Sequence, residues 1–142
     1  MITLKSKREI ALMHEAGKLL AECHKEIAPL IKPGITTMEI DEYVESFLKK
    51  HGATPEQKGY NGYKYATCAS INDEICHGFP RKQPLKDGDI VTIDSVFNLN
   101  GALADSAWTY SVGTISKQAQ TLMETSIKLF TKGLNKLKLE ID

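Results

Sequence analysis

Ile10, Met13, Gly17, Leu20, Cys23, Ile27 and Leu30 recur at steps of three and four. This period predicts one long amphipathic helix from residue 7 to about residue 30. Ser6 suits its N-cap, and Glu9 completes a capping-box pattern. Pro29 kinks or ends the last turn, and Pro33-Gly34 breaks the chain. A second stripe, Ile40, Tyr43, Val44, Phe47 and Leu48, predicts a second helix with Thr37 as its N-cap. His51-Gly52 closes it, and Gly52 fits the left-handed position after a helix.

From Ala53 the pattern changes. The stretch to Pro80 is rich in Gly, Tyr, Asn and small residues and reads as short strands joined by turns. The runs "DIVTIDSVF" and "ALADSAWTYSV" have strong strand character, and residues 98–101 between them form a hairpin turn signal. Helical spacing returns over residues 115 to 138, where Leu122, Met123, Ile127, Phe130 and Leu134 share roughly one face. The order helix, helix, strands, helix predicts an α+β fold, an antiparallel sheet backed by helices.

The 142 residues fit one domain. Lys plus Arg is 18 and Asp plus Glu is 18, a balance that gives no footing for nucleic acid or an anionic membrane. No apolar run approaches the roughly 20 residues that span a bilayer. The N-terminal stretch is periodic and lacks a signal peptide's unbroken apolar region. A cytoplasmic location is expected, with Cys23, Cys68 and Cys76 as reduced thiols.

Two acids stand out. Asp94 ends the apolar run "IVTI", and a charge beside a buried run is normally paired or coordinated. If residues 98–101 form the loop, Asp94 stands directly opposite Asp105. Like charges facing across a strand pair repel, unless a cation sits between them. A two-residue turn at Asn100-Gly101 would instead offset the two acids along the hairpin. Solvated surface carboxylates are the plainer reading of such a pair. Asp87 and Asp89 lie in a turn and read as structural.

His77, in "EICHGFP", precedes a bend marked by Gly78 and Pro80, so its imidazole could sit on a fixed loop and bind metal or donate a hydrogen bond. A loop histidine without a role is the bland alternative. His14, His24 and His51 fall in helices or at a cap. A Cys76–His77 dyad is geometrically poor, because neighbours on a strand point to opposite faces. Tyr60, Tyr63 and Tyr65 are most simply packing residues at sheet ends, with a pocket-lining role as the sharper reading.

The blocks "NGYKYATCASINDEICHGFP", "LKDGDIVTID" and "ADSAWTYSVG", with "IKPGITTMEIDEYVESFL" before them, resemble the bacterial type I methionine aminopeptidases. The resemblance runs from about residue 2 to about residue 138. It implies a pita-bread fold and removal of the initiator methionine from nascent polypeptides, with the ribosome as a possible neighbour. It implies two divalent metal ions (Co, Mn, Fe or Zn) held by two aspartates, one histidine and two glutamates. The aspartates carry over to Asp94, chelating one metal, and Asp105, bridging both. His77 matches the histidine that hydrogen-bonds substrate near the scissile amide. Tyr60, Tyr63 and Cys68 match positions lining the methionine pocket.

The family's remaining ligands belong to a second half that has no counterpart here. No histidine follows His77, and only Glu124 and Glu140 follow Asp105. The expectation is therefore a chain truncated to the N-terminal half of the catalytic domain, residues 1–142. Its metal binding should be weak or partial, its activity alone impaired or absent, and its exposed sheet prone to self-association. Leu103-Ala104 also stands where many relatives carry His-Gly. The alternatives are a non-catalytic peptide- or protein-binding module on the pita-bread scaffold, or a fragment that complements a separately made second half.

Overall fold

The computed structural model describes residues 3–139. Helix α1 spans Lys7–Ile27 and starts at the expected capping box, in which the Glu9 carboxylate accepts from the Ser6 N–H and the Ser6 hydroxyl accepts from the Glu9 N–H. Pro29 ends the α-helix by tightening Ala28–Leu30 into a 3-10 turn. Helix α2 spans Thr37–Lys50. Its N-cap is Thr36, not Thr37. The Thr36 hydroxyl accepts from the Glu39 N–H at 3.1 Å, and the Glu39 carboxylate accepts from the Thr36 N–H at 2.8 Å. The physical reason is the three-residue spacing of the box, which Glu39 satisfies for Thr36 only. Thr37 is instead buried, and its hydroxyl accepts from the Arg81 N–H at 2.8 Å. Gly52 has a φ of +68°, the left-handed conformation expected after this helix.

Four strands follow: β1 (Thr54–Pro55), β2 (Cys68–Ile71), β3 (Ile90–Leu99) and β4 (Ala102–Ser111). Strand β3 is the spine. On one side it pairs antiparallel with β4 along its whole length, from Ile90↔Ser111 to Leu99↔Ala102. On the other it pairs with β2 from Val91 to Asp94 and with β1 at Phe97 and Asn98. Ser95 and Val96 fall in the gap between β1 and β2. There the Val96 N–H donates to Gln57 Oε1 at 3.0 Å, and the Val96 carbonyl accepts from the Glu56 N–H at 2.9 Å. A side chain thus takes the place of a missing rung, as burial of backbone polar groups demands.

The alternation along β3 divides the sheet into two faces. Val91, Ile93, Ser95 and Phe97 are buried with Leu20, Cys23 and Ile27 of α1 and Ile40, Val44, Phe47 and Leu48 of α2. Thr92, Asp94, Val96 and Asn98 point to the other face and are half-buried. Among the described residues one charge enters the core: Asp41 of α2 accepts from the Thr67 N–H at 2.8 Å and the Thr67 hydroxyl at 2.7 Å. These bonds pin the segment leading into β2 to the helix layer.

Helix α3 spans Lys117–Leu139. Its apolar stripe forms as the period predicts, yet Ile127, Phe130, Leu134 and Leu137 are all exposed. Ile10 and Met13 of α1 are exposed as well. The helices obey their sequence period, but no described element covers these parts of their apolar faces.

Candidate metal and peptide site

The hairpin turn has two residues. Asn100 and Gly101 carry φ values of +53° and +82°, and Leu99 pairs with Ala102. This is the primed turn that Asn-Gly favours, because both positions require positive φ. The four-residue loop over 98–101, with Asp94 directly opposite Asp105, is therefore corrected. Asp94 pairs with Ala107, and Asp105 pairs with Val96. The acids remain on one face, displaced diagonally by two residues.

That displacement lessens their repulsion without removing it. The Asp94 carboxyl is pushed above the usual carboxylate range, first by burial and then by the charge of Asp105. His77 acts in the opposite sense, favouring the ionised form. Asp105 is exposed. Cys68 of β2 pairs with Asp94 on the other side of β3, which puts its thiol on the same face. Burial, in the main, raises the Cys68 thiol pKa, and Asp94 adds to the rise. Gln57 Nε2 lies 3.6 Å from Cys68 Sγ, so Gln57 joins the rung at Val96 to the thiol beside Asp94.

His77 lies on the loop after β2, near enough for its charge to bear on Asp94. Its φ is +57°, a left-handed conformation that is strained for a residue with a side chain. Neighbouring contacts hold the loop. The Gly78 carbonyl accepts from the Ala69 N–H at 2.8 Å, and the Gly78 N–H donates to Ser70 Oγ at 3.1 Å. Glu74 accepts from the Ile71 N–H at 2.9 Å and forms an ion pair with Arg81. Gly78 lies so close to β2 that a Cβ there would come within 2.3 Å of the Ala69 carbonyl oxygen. The glycine is required by this approach, not by its φ.

An aromatic group borders the site. Tyr63 meets Tyr65 edge-on at 5.7 Å and Phe79 at 5.5 Å between ring centroids. The Tyr63 hydroxyl donates to the Thr67 carbonyl at 2.8 Å. Burial is the main cause that raises the Tyr63 phenol above its ordinary range, and contact with Cys68 adds to it. Tyr60 is 72% exposed and stands outside this group. The structure therefore brings together Asp94, Asp105, Cys68, His77 and Tyr63, and leaves Tyr60 apart. Sequence reading missed Gln57 and Phe79. Phe79 had a signal in its place beside the Gly78 bend, whereas nothing local marks Gln57.

Two carboxylates on one face have the donor chemistry of a hard divalent cation. Among the described residues, however, no group of three or more His, Cys, Asp or Glu side chains is placed to hold a metal. The donor set fits a metal in kind and is incomplete in number.

The profile of metallopeptidase family M24 matches residues 11–141. The chain belongs to metallopeptidase family M24. Within M24, it is 48% identical to methionine aminopeptidase 1 of Bacillus subtilis over 138 residues, covering 97% of this chain and 56% of that protein. It is 46% identical to methionine aminopeptidase of Clostridium perfringens, covering 96% of this chain and 55% of that protein. The crystal structure of methionine aminopeptidase from Rickettsia prowazekii superposes with a TM-score of 0.91 at 34% identity, over 94% of this chain and 54% of that one. The expected pita-bread architecture is thereby shown for the region spanned. The chain spans about half the length of these M24 relatives.

Proposed function

We propose that this chain carries one half of a methionine aminopeptidase site, for removing the initiator methionine from nascent polypeptides, and that it is impaired or inactive without a second half. One observation carries the reading: Asp94 and Asp105 share the face that Cys68 and His77 border. In this reading Asp94 and Asp105 hold divalent metal, weakly because the donor set is open, with Co, Mn, Fe and Zn as candidates. Bound divalent metal supplies an acidified water and polarises the amide carbonyl. His77 donates a hydrogen bond at the scissile amide, where charge develops. Cys68 and Tyr63 line the pocket for the methionine side chain. Polypeptide N-termini emerging from a cytoplasmic ribosome are the proposed partners, a setting that suits three reduced cysteines.

The test is complementation. The chain is mixed with the segment of the Bacillus subtilis relative that lies beyond the matched region, and methionine release from a Met-Ala-Ser peptide is followed with added Co²⁺ or Mn²⁺. Release is expected from the mixture, little or none from the chain alone, and none when the chain carries Asp94→Ala. If the two corresponding Bacillus subtilis segments release methionine and this mixture does not, the reading fails. Metal-dependent release by the chain alone would refute the claimed impairment.

A further inference from the structure

We propose that Glu74 is a positioning residue for His77: its carboxylate braces the loop that carries the imidazole and holds it in place for the peptidase step. The hold of Glu74 on His77 is a property of the chain itself; only what the held imidazole does rests on the peptidase reading.

The segment from Ile71 to Arg81, between β2 and β3, is anchored at both ends. At its start the Glu74 N–H donates to the Ile71 carbonyl at 3.1 Å and closes a turn. Asn72 ties that turn to the head of β3. Its N–H donates to the Ile90 carbonyl, and its Oδ1 accepts from the Ile90 N–H, each at 3.0 Å. At the far end the Arg81 N–H donates to the buried Thr37 hydroxyl at 2.8 Å, and the Arg81 carbonyl accepts from the Met38 N–H at 3.1 Å. Arg81 is thereby fixed to the first turn of α2.

Between these anchors lie Ile75, Cys76 and His77. Among the described residues, their backbone bonds to no other backbone group. Yet His77 keeps its φ of +57°. A residue with a side chain leaves that conformation unless its surroundings hold it. The restraint has to come from the flanks, and one side chain reaches both. The Glu74 carboxylate accepts from the Ile71 N–H at 2.9 Å on one flank and pairs with the Arg81 guanidinium on the other. Arg81 Nη2 donates to both of its oxygens. The carboxylate also lies against the bare Cα of Gly78, the residue next to His77. A Cβ there would fall 2.9 Å from Glu74 Oε2. Gly78 is itself bonded to β2 through the Ala69 N–H and Ser70 Oγ. Glu74 is thus a strut across the unbonded residues, set between turn, glycine and arginine.

Magnitudes say what the strut is for. The ion pair is half-exposed, and such pairs contribute little to global stability. Its value lies in geometry. A hydrogen-bond donor that serves developing charge must be placed closely, and misplacement lowers the rate rather than the affinity.

The first test uses the chain alone and needs no activity. A residue with positive φ shows a strong nuclear Overhauser cross-peak between its own amide and Hα protons. His77 should show it in the native chain and lose it in Glu74→Ala, with little change in melting temperature. Glu74→Gln keeps an acceptor for Ile71 and loses the charge toward Arg81, so the cross-peak should weaken and persist. The second test is the complementation mixture with the Met-Ala-Ser peptide. Glu74→Ala should lower kcat by about 10- to 100-fold with KM little changed. In a His77→Ala background the same substitution should cost nothing further, because no imidazole is left to place. A loss that persists without His77 would make Glu74 merely structural and overturn the proposal. So would a native His77 cross-peak in Glu74→Ala. If Glu74→Ala does not fold, Glu74→Gln decides by the same readouts: partial losses are expected, and native values overturn the proposal. A mixture that releases no methionine, beside a cross-peak lost in Glu74→Ala, refutes the peptidase reading and upholds the hold of Glu74 on His77.

Discussion

Asp94 and Asp105 share a face of the β3–β4 ribbon but not a rung: Asp94 sits across from Ala107, and Asp105 across from Val96. Burial and the charge of Asp105 together disfavour the ionised Asp94 carboxylate. In the metal-free chain Asp94 therefore opposes folding at neutral pH. The sign follows from its raised pKa: the contribution of this group is most favourable at acid pH and declines as pH rises through the folded value. Asp94→Asn should raise the melting temperature of the metal-free chain at neutral pH. The same variant should lose any rise in melting temperature that Mn²⁺ or Co²⁺ gives the native chain. An unchanged response to metal would remove Asp94 from the metal site.

His24 has the opposite pH signature. Its Nδ1 lies 2.8 Å from the Tyr110 hydroxyl, which in turn donates to the His24 carbonyl at 3.1 Å. Burial is the main cause that lowers the His24 pKa from 6.5. Unfolded chains bind this proton more readily, so stability is full above the unfolded value and falls as pH drops below it. Melting temperature should decline between about pH 7 and pH 5.5, and His24→Gln should flatten that decline. An equal slope in the variant would show that another group is responsible.

Asp41 is a buried charge that earns its place through Thr67. Asp41→Ala leaves the Thr67 N–H and hydroxyl without their acceptor and should cost about 1–3 kcal/mol in urea unfolding, the penalty for stranded buried donors. Asp41→Asn keeps an acceptor oxygen and should lose less. Equal losses would mean that packing, not hydrogen bonding, is what Asp41 provides.

Gly78→Ala drives a methyl group into the Ala69 carbonyl. Overpacking of this kind costs about 1–3 kcal/mol. Amide spectra should show shifts concentrated at residues 69–80, with His77 displaced. Spectra and stability matching the native chain would disprove the close approach.

Much of this could be read directly from the chain. The capping box at Ser6, the presence of a hairpin between the two strand runs and the isolation of Asp94 beside an apolar run are local signals with local causes. The errors came where two local solutions compete. Thr36 and Thr37 both suit a cap, and Glu39 decides between them by its spacing. Loops of two and four residues both suit the hairpin, and the positive φ of Asn100 and Gly101 decides in favour of two. What was illegible is long-range. The contact of Gln57 with Val96 crosses 39 positions, and no periodicity encodes it. The exposure of α3 could not be read either, since a helix's period marks the face it would bury but not whether a partner is present.

Gln57 also alters how substitutions can accumulate. Where backbone pairs with backbone, almost any residue preserves the ladder. Between β1 and β2 the bond to the Val96 N–H comes from a carboxamide, so a single codon can remove it two residues from Asp94. Drift that would be silent elsewhere in the ladder becomes, at position 57, the loss of a hydrogen bond beside the chemistry.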